Sequence, residues 1–312
     1  MTSIVRAASH AGDWYTANAA NLDSELGGWL AAVDADYPIT GCKAIIAPHA
    51  GYAYSGPAAA WAYKSIDVSP IKRVFVLGPS HHIYIDGCAL SSCTSYATPI
   101  GDLPIDLDTV SQLRASGKFQ SISHSADEDE HSLEMHLPYI RKIFEGRDIE
   151  IVPIVVGAID QQAEAEFGAL LAPYLAREDT FCVVSSDFCH WGTRFNYTYY
   201  LPNDSVAPVR LSKSQTNALD QPIHASIRTL DHQAMEILAK PPPASAHDAF
   251  AAYLASTKNT ICGRHPIGVL LGALSALPER PSELKWVRYE QSSACATLRD
   301  SSVSYASAWV KF

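Results

Sequence analysis

Short, nearly unbroken apolar runs alternate along this chain with stretches whose apolar residues recur every three or four positions. Six runs read as strands: Lys43–Ala47, Arg73–Leu77, Ile149–Val156, Thr180–Val184, Leu284–Tyr289 and Val303–Val310. The nearly unbroken apolar ones among them suit a sheet buried on both faces. Helical spacing covers Leu107–Ala115, Gln161–Leu175, Leu219–Leu238 and Pro266–Leu277, with Pro266 placed in a first turn where its missing N–H costs little. The alternation predicts an α/β fold with a largely parallel or mixed sheet. The stretches 201–215 and 241–247, the latter with Pro241-Pro242-Pro243, read as loops, and neither an internal repeat nor a linker divides the chain.

Chemistry-bearing residues fall where strands end. Lys43–Ala47 leads into Pro48-His49, Arg73–Leu77 into Gly78-Pro79-Ser80-His81, and Thr180–Val184 into Ser185-Ser186-Asp187. Sites in open α/β sheets gather at such carboxyl ends. Cys262 arrives just before the helix that starts near Pro266, where the helix dipole favours thiolate. Imidazole, thiolate and carboxylate hold transition metals, so His49, His81 and Cys262, with Asp187 and His190, form a candidate metal set. Blander roles compete: a hydrogen-bonded structural histidine, an Asx turn capped by Asp187, an inert buried thiol at Cys262 and a helix-end Arg264. Adjacent histidines on extended backbone point opposite ways, so of His81-His82 only one faces a given cavity, and His81 is preferred. The run Asp127–Pro138 reads as a solvated acidic surface; the alternative turns His131, Glu134 and His136 toward the cavity, and of these His136 is favoured.

Composition narrows the classes. A formal net charge of −10 argues against non-specific nucleic-acid binding, which needs cations for phosphates. The first residues lack a signal peptide's apolar stretch, and no run suggests a transmembrane helix. Seven cysteines, an odd number without a Cys-x-x-Cys pair, point to free thiols in a reducing cytosol, with the nucleus as an alternative.

The motifs together resemble the Memo family. The resemblance runs from Ala8–Tyr15 through His49, His81, Glu130–Tyr139, Ser185–Gly192 and Asn259–Gly268 to Asp300–Tyr305. It implies one domain over residues 1–312, an α/β sandwich around a central mixed, mostly parallel sheet like that of the class III extradiol dioxygenases. Those enzymes hold Fe(II) with two His and a carboxylate. In Memo proteins two His and a Cys line the corresponding cleft, matching His49, His81 and Cys262, with Asp187 and His190 as additional or alternative ligands. The thiolate shifts preference toward copper or zinc, so Fe(II) or Cu(I), with Zn as an alternative, is the implied cofactor. The family also implies a role in redox and metal homeostasis and in cell motility signalling. An adaptor function, in which Trp14, Tyr54, His136, His190, Phe195 and Arg264 receive a phosphotyrosine peptide or signalling protein, is the competing expectation. A third is a non-haem iron oxygenase for hydroxyaromatics, with His136 or His190 as general base.

Overall fold

All six apolar runs form strands of one nine-stranded sheet. The computed structural model describes residues 3–202, 207–212, 219–277 and 279–312. The expected loop at 201–215 therefore lies partly outside the described residues. The strands are β1 (Val5–Arg6), β2 (Cys42–Ala47), β3 (Arg73–Pro79), β4 (Cys88–Leu90), β5 (Ser95–Tyr96), β6 (Leu103–Pro104), β7 (Phe119–Ser121), β8 (Glu150–Val156), β9 (Thr180–Ser185), β10 (Asp187–Trp191), β11 (Tyr199–Tyr200), β12 (Val209–Arg210), β13 (Glu283–Gln291) and β14 (Ser302–Lys311).

The sheet is mixed. Its order is β10-β14-β2-β9-β3-β8-β4-β7, with β13 on the other edge of β14. At its centre β2, β9, β3 and β8 run parallel. Antiparallel pairings flank that block: β4 on β8, and β14 against β2, β10 and β13. One edge of β14 is shared, since Ser302–Tyr305 pair with β10 while Ala308–Lys311 pair with β2.

The helices are α1 (Ala19–Ala31), α2 (Tyr52–Lys64), α3 (Leu107–Ala115), α4 (His124–Asp129), α5 (His131–Glu134), α6 (Leu137–Ile143), α7 (Gln161–Leu175), α8 (Ile223–Leu238), α9 (Pro243–Thr257) and α10 (Arg264–Ser275). Asp106 and Asp160 start α3 and α7 by accepting the N–H of Thr109 at 2.7 Å and of Ala163 at 2.8 Å. The expected loop at 241–247 is corrected: α9 begins within it, at Pro243. Proline is well placed there, because a first-turn N–H has no intrahelical acceptor.

Ala44–Ala47, Val74–Leu77 and Phe181–Val184 are each buried without a break, which requires cover on both faces of the sheet. The helix α2 packs on β2 and β14, and α7 and α10 pack on β9. The α7–α10 crossing is so close that a Cβ at Gly168 would lie 2.4 Å from the Ala273 nitrogen. Among the described residues no helix is long and apolar enough to cross a membrane.

Candidate functional site

The carboxyl ends of β2 and β3 carry His49 and His81 into one cavity of about 730 Å³. His131, the first residue of α5, joins them. The His81 and His131 rings stack with centroids 4.3 Å apart, and His49 stands edge-on to both, at 5.2 and 5.5 Å. Each ring offers a nitrogen within 4.8 Å of the others. His190, Asp187, Trp14, Tyr54, Arg194 and Phe195 complete much of the wall.

Hydrogen bonds set which nitrogen of each ring is free. Ser185 Oγ lies 2.6 Å from His49 Nδ1 and donates its own proton to the Ser132 carbonyl at 2.7 Å. The Ser185 oxygen therefore accepts from Nδ1–H, and the lone pair of His49 sits on Nε2. Glu130 grips His81 twice, taking its backbone N–H at 2.7 Å and its Nδ1 at 2.9 Å, which leaves Nε2 of His81 free. His190 Nδ1 faces the carbonyls of Phe188 and Thr260 at 2.9 and 3.1 Å, so it too bears the proton. His131 Nδ1 is buried with no hydrogen-bond partner among the described residues.

Burial decides the charge states. It pushes His49 well below its ordinary value, helped by the neighbouring imidazoles His81 and His131. It likewise brings His131 down to about 3, with His81 next in effect. These rings are neutral, the form that ligates metals. Burial alone would raise Glu130, but its bonds from His81 and Ser132 hold it at about 2.

Two close backbone approaches bring the walls together. A Cβ at Gly78 would lie 2.5 Å from Ser132 Oγ, so glycine lets α5, with His131, reach the end of β3. A Cβ at Gly263 would lie 2.3 Å from the Ser185 carbonyl, and this contact sets Cys262 against His49. Cys262 Sγ is 3.1 Å from His49 Nε2 and accepts from Asp187 N–H at 3.2 Å. The helix dipole does not give a ready thiolate here: burial, then the nearby Asp187, push the thiol well up. Asp187 is itself raised by burial, and its Oδ1 accepts the His49 N–H at 2.8 Å.

The sequence-predicted residues thus divide. His49, His81, Asp187, His190, Trp14, Tyr54 and Phe195 line the cavity, and Cys262 lies behind His49. His82 stays outside the lining while His81 is part of it. His136 is placed differently from its expected position in the cavity: it is fully buried beside Tyr63, whose hydroxyl is 2.7 Å from its Nδ1. Arg264 is exposed and lines a different cavity. The solvated reading of 127–136 is also corrected, because Asp127, Glu130 and Glu134 are buried. Glu134 binds Arg6 at 2.6 Å, His10 and Tyr15, so it serves the fold rather than the cavity. Of the three residues in the alternative, cavity-facing reading of this run, His131 is the one that lines the cavity, although the sequence favours His136; its position between Glu130, which holds His81, and Ser132, which receives Ser185, is a three-dimensional signal.

The family described as Memo-like protein matches residues 6–309. Protein MEMO1 of Homo sapiens is 46% identical over 307 residues, 97% of this chain and 96% of that protein, and the Mus musculus protein has the same figures. The Caenorhabditis elegans memo-1 homolog is 39% identical over 305 residues, covering 97% of this chain and 81% of that protein. The fold is shared with a solved, uncharacterized protein of Escherichia coli K12, at a TM-score of 0.50 and 14% identity, over 85% of this chain and 99% of the other. With its motifs matched almost from end to end, the chain belongs to the Memo-like protein family.

Proposed function

We propose that this chain binds a redox-active transition metal, iron or copper, in the cleft at the ends of β2 and β3. His49, His81 and His131 would be the imidazole donors, Cys262 a thiolate donor beside His49, and Asp187 and His190 additional or alternative ligands. The observation that carries the reading is the buried His131 Nδ1, which makes no hydrogen bond among the described residues and has only the Glu130 carboxylate at 3.9 Å, beside two rings whose Nδ1 atoms are already engaged. Neutral imidazoles with a thiol suit copper, iron and zinc. When bound, the metal would supply electron transfer or Lewis acidity, and the role would be redox and metal homeostasis coupled to motility signalling. Metal analysis of protein purified anaerobically without a polyhistidine tag tests this. Near-stoichiometric iron or copper, lost in His49→Ala/His131→Ala, is expected. A wild-type protein that neither carries metal nor takes up added Fe(II) or Cu(I) would sink the reading.

A second reading, a cleft that receives a phosphotyrosine peptide, is favoured by one set of contacts. Trp14 and Tyr54 are exposed at the rim, at 37% and 61%, and Arg194 lies in the same wall. Aromatic faces and a guanidinium suit an aromatic phosphate. It predicts phosphopeptide binding that survives removal of metal and is lost in Arg194→Ala.

A further inference from the structure

A second cavity, of about 480 Å³, lies on the other side of the segment that carries Cys262. One face of α9 supplies His247, Phe250, Ala251, Leu254 and Ala255, positions three and four apart that share a helical side. The start of α7 supplies Glu164, and Arg264 and His265 come from the first turn of α10. Ile159, Phe250 and Leu254 give it an apolar surface.

The charges there are unbalanced. Both oxygens of the largely buried Glu164 carboxylate are taken, by His247 Nε2 at 2.6 Å and His265 Nδ1 at 2.7 Å. Asp248, on the same helix, accepts from Gln161 at 2.7 Å. Lys258 and Arg264 line the cavity with no side-chain hydrogen bond or ion pair among the described residues. Both cations reach solvent, and they flank the apolar surface without a carboxylate among the described residues to neutralise them. Concave, partly apolar cavities with a few convergent polar groups are the usual form of small-molecule sites.

We propose that this cavity binds a small organic anion, a carboxylate or phosphate monoester on an apolar body, whose charged end meets Lys258 and Arg264 and whose body lies on Phe250 and Leu254. The site is separate from the metal cleft, yet shares a wall with it. Thr260 lines the second cavity, while its hydroxyl accepts the His190 N–H at 2.8 Å and its carbonyl faces His190 Nδ1.

Calorimetric titration of the full-length protein with phenyl phosphate, hexanoate and inorganic phosphate tests the proposal. Saturable binding of an organic anion is expected, tighter than that of inorganic phosphate. Lys258→Ala/Arg264→Ala should weaken it about tenfold or more. Ala251→Trp, which fills the cavity from a half-buried helical position, should abolish it with the unfolding midpoint retained. No saturation below about 10 mM by any of the three would overturn the proposal. So would binding that persists unchanged in both variants, since it would then belong elsewhere, for example to the cleft with Arg194.

Discussion

Ser185 and His49 form a fixed donor–acceptor pair: the imidazole Nδ1–H gives to a hydroxyl that is already committed to the Ser132 carbonyl. One serine at the end of β9 thereby chooses the tautomer of the histidine that follows β2. Ser185→Ala removes that choice and leaves Nδ1 buried without an acceptor. Metal affinity is expected to fall about 10- to 100-fold, as outer-shell losses generally do. A competition titration with a chromogenic chelator reads this directly, and unchanged affinity would show that the pair is only structural.

Cys262 makes a second prediction. Burial and Asp187 keep its thiol protonated at neutral pH in the metal-free chain. Ligation as thiolate must then release a proton, so affinity should rise with pH by about tenfold per unit while the thiol remains protonated. Calorimetry of metal binding in buffers of different ionisation enthalpy counts that proton. In Cys262→Ser the release should disappear, and Cu(I) should lose more affinity than Zn(II), being the softer ion.

The Arg6–Glu134 pair concerns the fold. Both side chains are fully buried and 2.6 Å apart, and Arg6 also donates to the carbonyls of Asp127 and Glu130. Burial works against the Arg6 charge, while Glu134 restores it. Arg6→Ala leaves the buried carboxylate with His10 and Tyr15 but without its guanidinium counter-charge, and is expected to cost about 3–5 kcal/mol in chemical denaturation. A loss under about 1 kcal/mol would mean that Glu134 finds solvent or another donor.

His136 gives the pH dependence. Burial alone brings its folded value to about 3. The unfolded chain takes up the proton below about 6.5, whereas the folded chain does not until about 3, so stability is lost as pH falls through that window. From this one group the slope is about 1.4 kcal/mol per pH unit. Urea unfolding at pH 6.5 and pH 5 should show His136→Gln losing about 1.6 kcal/mol less than the parent over that interval, whatever its starting stability.

The strands were legible because they are unbroken apolar runs, and α3 and α7 because periodic apolar spacing coincides with Asp106 and Asp160 at their starts. The helix α2 was hidden by Gly56-Pro57 at its middle, a pair that reads as a turn; the glycine is there because a Cβ would lie 2.6 Å from the Trp29 ring. Within the site, the strand ends announced His49, His81 and Asp187. The cavity-facing pair Asp187 and His190 needed more, since residues three apart on a regular strand face opposite ways. A register shift in β10 between them is what lets both line one wall. The acidic run was misread because its partners are remote in sequence: His81 is 49 residues from Glu130, and Arg6 is 128 from Glu134. Local sequence shows charge but not the counter-charge that takes it into the core.

The shared edge of β14 bears on how the molecule is made. Residues 302–311 pair with β2, β10 and β13. A ribosome produces them after every histidine of the cleft. Until they emerge, the strand leading to His49 has a bare, apolar edge, the kind of surface on which nascent chains associate wrongly. The cleft therefore acquires its closing wall, which includes Ser302 and Tyr305, only as β14 docks, so its shape is completed by a strand made after all four of its histidines.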